Sequence, residues 1–246
     1  MQSPRPSQNV RYLPAGDAAL VVEFGQEIDL ALSAQVMALD TALAASPPPG
    51  LIETMPSFRS LLVQFDPLVT DAGAIEEALR ALETGLGDVS ASGREWVLPA
   101  SYGGEFGPDL ADVAARTGHT EETLVADHTD ILHHVYMIGF LPGCPYMGDV
   151  PAPLDLSRRE TPRVHVPQGS VAIAVGLTVI YPVESPGGWN LIGRCPVPLF
   201  DPGAPSPALL APGDRVRFEA IDPAAYDTIS AAISAGEWRA EAEALR

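Results

Sequence analysis

The chain of 246 residues contains no lysine; all 14 of its basic residues are arginine. Acting alone it cannot supply a Walker-type phosphate-binding lysine, a Schiff base to a carbonyl or to pyridoxal phosphate, or a biotinylated lysine. Cysteine is nearly as scarce. Cys144 and Cys195 stand far apart, outside any CxxC or Cys/His metal spacing. No zinc or other metal site is expected, and both read as buried free thiols rather than a disulfide. No run of roughly 18 apolar residues occurs, so no membrane span is expected. Positive charge is outweighed by 32 acids, for a net charge of −18. That balance argues against nucleic acid and against anionic membrane surfaces, both of which need a basic footprint. The opening Met1-Gln-Ser-Pro-Arg-Pro-Ser-Gln lacks the apolar core of a signal peptide. It reads as a short unstructured lead, with the cytoplasm as the expected location.

The charge is unevenly spread. From His128 to Phe200 five acids face Arg158, Arg159, Arg163 and Arg194, a window of net −1 inside an acidic protein. A nearly neutral island with four arginines suits a small anionic ligand. The same window carries Gly139-Phe-Leu-Pro-Gly-Cys-Pro-Tyr146 and Ser185-Pro-Gly-Gly-Trp-Asn-Leu-Ile-Gly-Arg194. Glycine allows unusual backbone and close approach, and proline lowers the entropy lost on ordering a loop. Linkers do not carry buried-type residues such as Phe140, Tyr146, Trp189 and Ile192, so these stretches read as a binding or catalytic surface.

Local patterns divide the chain. Ala18–Phe24, Leu51–Thr54 and Ser60–Phe65 read as strands, with amphipathic helices at Leu30–Ala44 and Asp71–Leu82. With a last strand at Glu95–Leu98 the order approaches β-α-β-β-α-β, a ferredoxin-like split βαβ arrangement. Gly85–Gly93 is small and polar and marks the expected boundary, giving domains 9–92 and 93–246. Beyond it, short helices are expected at Leu110–Arg116 and Glu121–His128. They are followed by apolar runs at Val135–Ile138, Val171–Val175, Thr178–Tyr181, Leu191–Gly193 and Val216–Ala220. Short strands with Gly/Pro punctuation suggest a barrel or sandwich. Asp222-Pro opens a C-terminal helix to about Ala235.

Individual residues carry competing readings. His128 is the candidate proton acceptor, or else a histidine complementing a helix C-terminus. His133 and His134 are consecutive on a strand and cannot both face one site. Ser170 is read as a serine at a strand start rather than a nucleophile, because no G-x-S-x-G elbow surrounds it. Arg163 and Arg194 each offer a planar fork to a carboxylate or phosphate, the alternative being an internal ion pair. Arg158 and Arg159 read as a solvated charged loop. Gly187 and Gly188 before Trp189 imply that something approaches the backbone closely.

Together with Thr161-Pro-Arg163, Gly169-Ser-Val171, Ile180-Tyr-Pro182, Leu199-Phe-Asp201 and Pro212-Gly-Asp-Arg-Val-Arg-Phe218, these motifs resemble the KipI/PxpB family. Tyr102-Gly-Gly-Glu-Phe-Gly-Pro-Asp-Leu110 and Pro56-Ser-Phe-Arg-Ser-Leu61 match it too. That family comprises the B subunit of bacterial 5-oxoprolinase, also described as allophanate hydrolase subunit 1. The resemblance implies an α+β chain, a small N-terminal domain followed by a cyclophilin-like β-barrel. It implies PxpC-like and PxpA-like partner subunits and the opening of 5-oxoproline to glutamate with ATP, Mg2+ being presumed at the level of the complex. It implies a pocket for a small anionic amide from Gly139, Phe140, Pro142, Gly143, Tyr146, Arg163, Ser170, Gly187, Gly188, Trp189 and Arg194. Two other functions attach to the resemblance. One is a histidine-kinase inhibitor docking through Pro56 and Phe58; the other is part of a biotin-dependent urea carboxylase. The chain departs from the family pattern at Cys144, Met147 and Gln168, and in Val175-Gly-Leu-Thr-Val-Ile-Tyr-Pro182, where a glutamine gives way to Leu177.

Overall fold

The structure is a computed structural model that describes residues 10–83 and 93–244. The expected N-terminal lead and all of the expected linker except Gly93 lie outside the described residues. The chain divides into two compact units, Met1–Ser92 and Gly93–Arg246.

The first unit is a four-stranded antiparallel sheet carrying two helices on one face. In chain order it runs β1 (Arg11–Pro14), β2 (Ala19–Glu23), α1 (Leu30–Ala45), β3 (Leu51–Pro56), β4 (Ser60–Phe65) and α2 (Ala72–Glu83). The Asp29 side chain accepts from the Ala31 and Leu32 amides and starts α1. Ser46-Pro-Pro-Pro-Gly50 ends it, because proline cannot continue a helix. Asp71 caps α2, accepting from the Ala74 amide at 3.0 Å. Alternation puts Leu20 and Val22 of β2 and Leu61, Val63 and Phe65 of β4 on one face. There they meet Val36, Leu39 and Leu43 of α1 and Ile75 and Leu79 of α2.

The strand order is β1-β2-β4-β3. One expectation is corrected here. The strand after α2 does not complete this sheet; it belongs to the second unit. The place beside β2 is taken by β1, which reaches it through a tight hairpin that pairs Pro14 with Leu20. A hairpin partner needs little chain closure, whereas a strand returning after α2 must cross the whole unit. The four residues of β1 are too few to display alternation.

The second unit continues with β5 (Arg94–Tyr102), α3 (Leu110–Thr117), α4 (Glu121–Asp130), β6 (His133–Ile138), β7 (Pro145–Gly148) and β8 (Arg163–Val166). It ends with β9 (Ser170–Ala174), β10 (Leu177–Ile180), β11 (Ser185–Gly187), β12 (Asn190–Arg194), β13 (Arg215–Ala220), α5 (Pro223–Ser234) and β14 (Ala242–Ala244). The circuit β12-β9-β10-β7-β6-β13-β5 closes through a β12–β5 pairing into a barrel of seven strands. Only β13 and β5 run parallel within it. β5 is long enough to pair Arg94–Trp96 with β14 and Ser101 and Tyr102 with β12. Leu98, Val135, Met147, Ile173, Ile180, Ile192 and Phe218 fill the interior, sealed by Val113 of α3 and Leu124 of α4. The helices start where capping predicts. Thr120 forms a reciprocal capping box with Thr123, and the Asp222 side chain accepts from the Ala225 amide. Outside the barrel, β8 and β11 form a two-stranded ribbon, and this ribbon borders the site.

Candidate functional site

The first Gly/Pro motif forms the β6–β7 connection. The Gly139 amide donates to the Cys144 carbonyl at 3.0 Å, closing the loop. Phe140 and Gly143 have φ of 67° and 77°. Glycine is required at 143, where a Cβ would lie 2.8 Å from the Phe200 Cβ. Phe140 adopts the same region without that freedom and projects outward, 67% exposed. A strained, exposed aromatic is the kind of residue that a binding surface retains.

Phe140 stands at the edge of a cleft of about 320 Å³ walled by Tyr146, Tyr181, Trp189, Arg158 and Arg159, with Cys144, Pro162, Gly187 and Gly188 between them. The Trp189 ring meets Tyr146 edge-on at 5.9 Å. The Arg158 guanidinium lies 5.7 Å from the centroid of the same indole, within cation–π range. The close neighbour that Gly187 implies is a tyrosine of the cleft wall: a Cβ there would sit 2.3 Å from the Tyr181 hydroxyl. The Arg159 amide donates to the Gly188 carbonyl at 2.7 Å, pinning the arginine loop to the Trp189 turn.

Asp109, 4% exposed, organises this wall. It accepts a bidentate pair from Arg163 (2.8 and 2.7 Å), a bond from Arg159 Nη1 (2.9 Å) and the Leu191 amide (2.7 Å). Two guanidiniums share one carboxylate, so the group retains one positive charge, and Arg158 adds a second. Among the described residues, no acid lines the cleft. In a protein of net charge −18 that is a local reversal of sign. Burial pushes the Cys144 thiol and the Tyr181 phenol each up to about 12. Both therefore stay protonated near neutrality, and neither offers a general base to the cleft.

The structure sorts the expected residues. Phe140, Tyr146, Gly187, Gly188 and Trp189 line the cleft, while Gly139, Pro142 and Gly143 shape its loop without forming its wall. Arg163 is taken into the ion pair with Asp109, the alternative reading for that residue. Arg194 lies elsewhere, its Nη2 donating to the Glu105 carbonyl at 3.2 Å and its guanidinium over the Phe106 ring. Ser170 stands at the start of β9 as expected, fully buried, and its Oγ makes no hydrogen bond among the described residues. His128 is enclosed in the core. Its Nδ1 meets the Tyr102 hydroxyl at 2.9 Å and its Nε2 meets Thr178 Oγ1 at 3.2 Å. Burial, with His133 beside it, holds its pKa well below the ordinary histidine value. A neutral histidine shut off from solvent is a structural group, not a proton acceptor for the cleft. Leu177 is buried on β10 and is not part of the cleft.

Sequence patterns alone do not single out Arg158, Arg159, Asp109 and Tyr181 as site residues. The signals present are weak: Asp109 lies near the end of the motif beginning at Tyr102, Arg158 and Arg159 belong to the four-arginine island just before Thr161-Pro-Arg163, and Tyr181 lies in Ile180-Tyr-Pro182. A second cavity of about 210 Å³, between Cys195–Pro198 and α5, is lined by no charged residue among those described. Among the described residues, no group of three or more His, Cys, Asp or Glu is placed to hold a metal ion. No helix among them is long and apolar enough to cross a membrane.

Comparison with known proteins agrees with this architecture. The family model described as "Carboxyltransferase domain, subdomain C and D" matches residues 10–210. The 5-oxoprolinase B subunit of Bacillus subtilis (strain 168) is 36% identical over 225 residues, covering 86% of this chain and 92% of that protein. The crystal structure of TTHA0988 is 37% identical with a TM-score of 0.75, covering 84% of this chain; the chain spans only 40% of that longer chain. The K. lactis urea amidolyase superposes with a TM-score of 0.80 at 21% identity over 99% of this chain and 17% of its own, a likeness of fold. By the family model and by its relatives alike, the chain belongs to the carboxyltransferase-domain family of subdomains C and D that includes the 5-oxoprolinase B subunits.

Proposed function

We propose that this chain is the B subunit of an ATP-dependent 5-oxoprolinase, opening 5-oxoproline to L-glutamate together with PxpC-like and PxpA-like subunits in the cytoplasm. The cleft carries the reading. It is small, aromatic, free of acids and positively charged, which suits a compact ring amide bearing one carboxylate. The relatives that bear the name of the 5-oxoprolinase B subunit supply the reaction class.

The cleft itself does not fit Mg-ATP: the chain has no lysine, and among the described residues no carboxylate lines the cleft to hold Mg2+. We read nucleotide chemistry as the work of the assembled complex, and no step through ATP is assigned to this chain. The partner reading draws support from TTHA0988, a longer chain of which this one matches 40%.

The urea carboxylase reading is weaker, because the urea amidolyase of Lachancea kluyveri is 26% identical over 96% of this chain and only 15% of its own length, against 36% for the 5-oxoprolinase B subunit of Bacillus subtilis (strain 168). The kinase-inhibitor reading rests on Pro56 and Phe58, both half-buried at the tip of the β3–β4 hairpin. The test is ATP hydrolysis stimulated by 5-oxoproline in the complete complex. Stimulation that disappears when this chain is left out supports the proposal; a properly assembled complex that ignores 5-oxoproline refutes it.

A further inference from the structure

We propose that Arg158 anchors the ligand's carboxylate, and that Asp109 is a positioning residue that takes Arg163 and one arm of Arg159 away from the ligand and so makes the cleft favour one carboxylate over two. This rests on the cleft being the substrate site of the function proposed above.

Three arginines converge on one wall, but their circumstances differ. Arg163 spends both Nη atoms on Asp109, and Arg159 spends one. Arg158 has no carboxylate partner among the described residues; its guanidinium lies by the Trp189 ring. A guanidinium held over an indole and facing an acid-free cleft offers both Nη groups to a planar carboxylate. The bound anion's ring then lies against the aromatic walls.

Asp109 does more than neutralise. Its bond to the Leu191 amide fixes the start of β12, two residues beyond Trp189, while Arg159 is tied to Gly188. The same carboxylate therefore sets the position of the arginine loop and of the indole. With Arg163 committed and Arg159 holding Asp109 through one Nη, a second ligand carboxylate finds a weaker partner than Arg158, and a ligand ammonium finds no acid among the described residues. The cleft selects carboxylates whose nitrogen is acylated, as in a lactam, over open-chain amino acids and dicarboxylates. Opening the lactam adds water across its C–N bond: the carbon becomes a second carboxylate and the nitrogen an ammonium. Both new charges are disfavoured here, so the product is held more weakly than the substrate.

The experiment measures binding to the full chain by calorimetry with 5-oxoproline, pyrrole-2-carboxylate, L-glutamate and glutarate, and kinetics in the assembled complex. The parent should prefer 5-oxoproline to glutamate and glutarate by about tenfold or more, the scale of one charge-assisted contact. Arg158→Gln should weaken 5-oxoproline and pyrrole-2-carboxylate by about tenfold and raise KM with kcat nearly unchanged. Arg158→Lys should recover part of the loss. Folded Asp109→Asn should gain affinity for glutarate; a folded variant with the parent's selectivity overturns the role of Asp109. If that variant does not fold, the parent's own selectivity decides, and equal binding of all four ligands overturns it. An unchanged KM in Arg158→Gln overturns the anchor even if the complex is a 5-oxoprolinase. Arg158-dependent binding of pyrrole-2-carboxylate without response to 5-oxoproline keeps the anchor and rejects the substrate.

Discussion

The two units solve the problem of a core in different ways. In the first, the described interior is hydrocarbon, and Ser33 is its only buried polar residue. The second buries Asp109, Asp214, His128, His133, Asn190 and Thr178 among others. Buried polar groups destabilise unless partnered, and the partners must come from wherever the chain can bring them. Asp109 takes its donors from residues 50 to 82 positions away, and Asp214 takes donors from Arg94 and Trp96, about 120 positions away, as well as from the nearby Ala211 amide. An apolar core holds a sheet and helices together. A polar core also fixes loops to one another, and the cleft is built from such loops.

Separate probes can test this contrast. All three tryptophans, at 96, 189 and 238, lie in the second unit, so indole fluorescence reports on it, while far-UV circular dichroism reports on both. The largest effect is expected for Asp214→Ala. Its carboxylate accepts from the Arg94 amide (2.9 Å), Arg94 Nη2 (2.8 Å), the Trp96 indole (3.0 Å) and the Ala211 amide (3.0 Å). Leaving those donors unpaired should remove about 3–5 kcal/mol from the fluorescence-detected transition. A loss below about 1 kcal/mol would show that the buried network is dispensable.

Leu39→Ala, in the apolar core of the first unit, should cost about 3 kcal/mol through lost burial and a cavity. The loss should appear in circular dichroism while indole emission keeps its midpoint. Movement of both together would mean that the units do not unfold independently.

Acid provides a comparable test without a substitution. Burial lowers His133 from 6.5 to about 4, and His128 shifts the same way. A depressed basic group binds protons in the unfolded chain first. Its stabilisation is therefore complete above pH 6.5 and drains away as the pH falls toward 4, by roughly 3 kcal/mol for His133. The first unit contains no histidine and should lack this component. Denaturant midpoints for the two probes between pH 7 and 4 would decide it.

The smallest effect concerns Val175. It opens the two-residue turn between β9 and β10 at φ 48°, a region that a β-branched residue enters at a cost of about 1–2 kcal/mol. Val175→Gly should raise the stability of the second unit by about 1 kcal/mol; a decrease would mean that the side chain contributes packing that outweighs the strain.

Much of this was legible in the sequence. The caps at Thr120 and Asp222, the alternation in Ser60–Phe65, and the apolar runs that became β6, β9, β10, β12 and β13 are local signals read over a few residues. The β7 strand was hidden inside a motif that looks like a loop, and β8, β11 and β14 are too short to show a period. Assigning Glu95–Leu98 to the first sheet failed because strand pairing is a competition between distant segments, and the barrel offered β5 partners along both edges.

By itself the sequence determined most of the helical and extended segments and that no lysine chemistry is available. Only the tertiary structure decided which arginine is free. Arg158, Arg159 and Arg163 are chemically alike and within six positions of one another. Closure of the barrel delivers the Asp109 carboxylate to two of them and leaves the third beside Trp189. Ion pairing depends on distance in space, and a sequence records only distance along the chain.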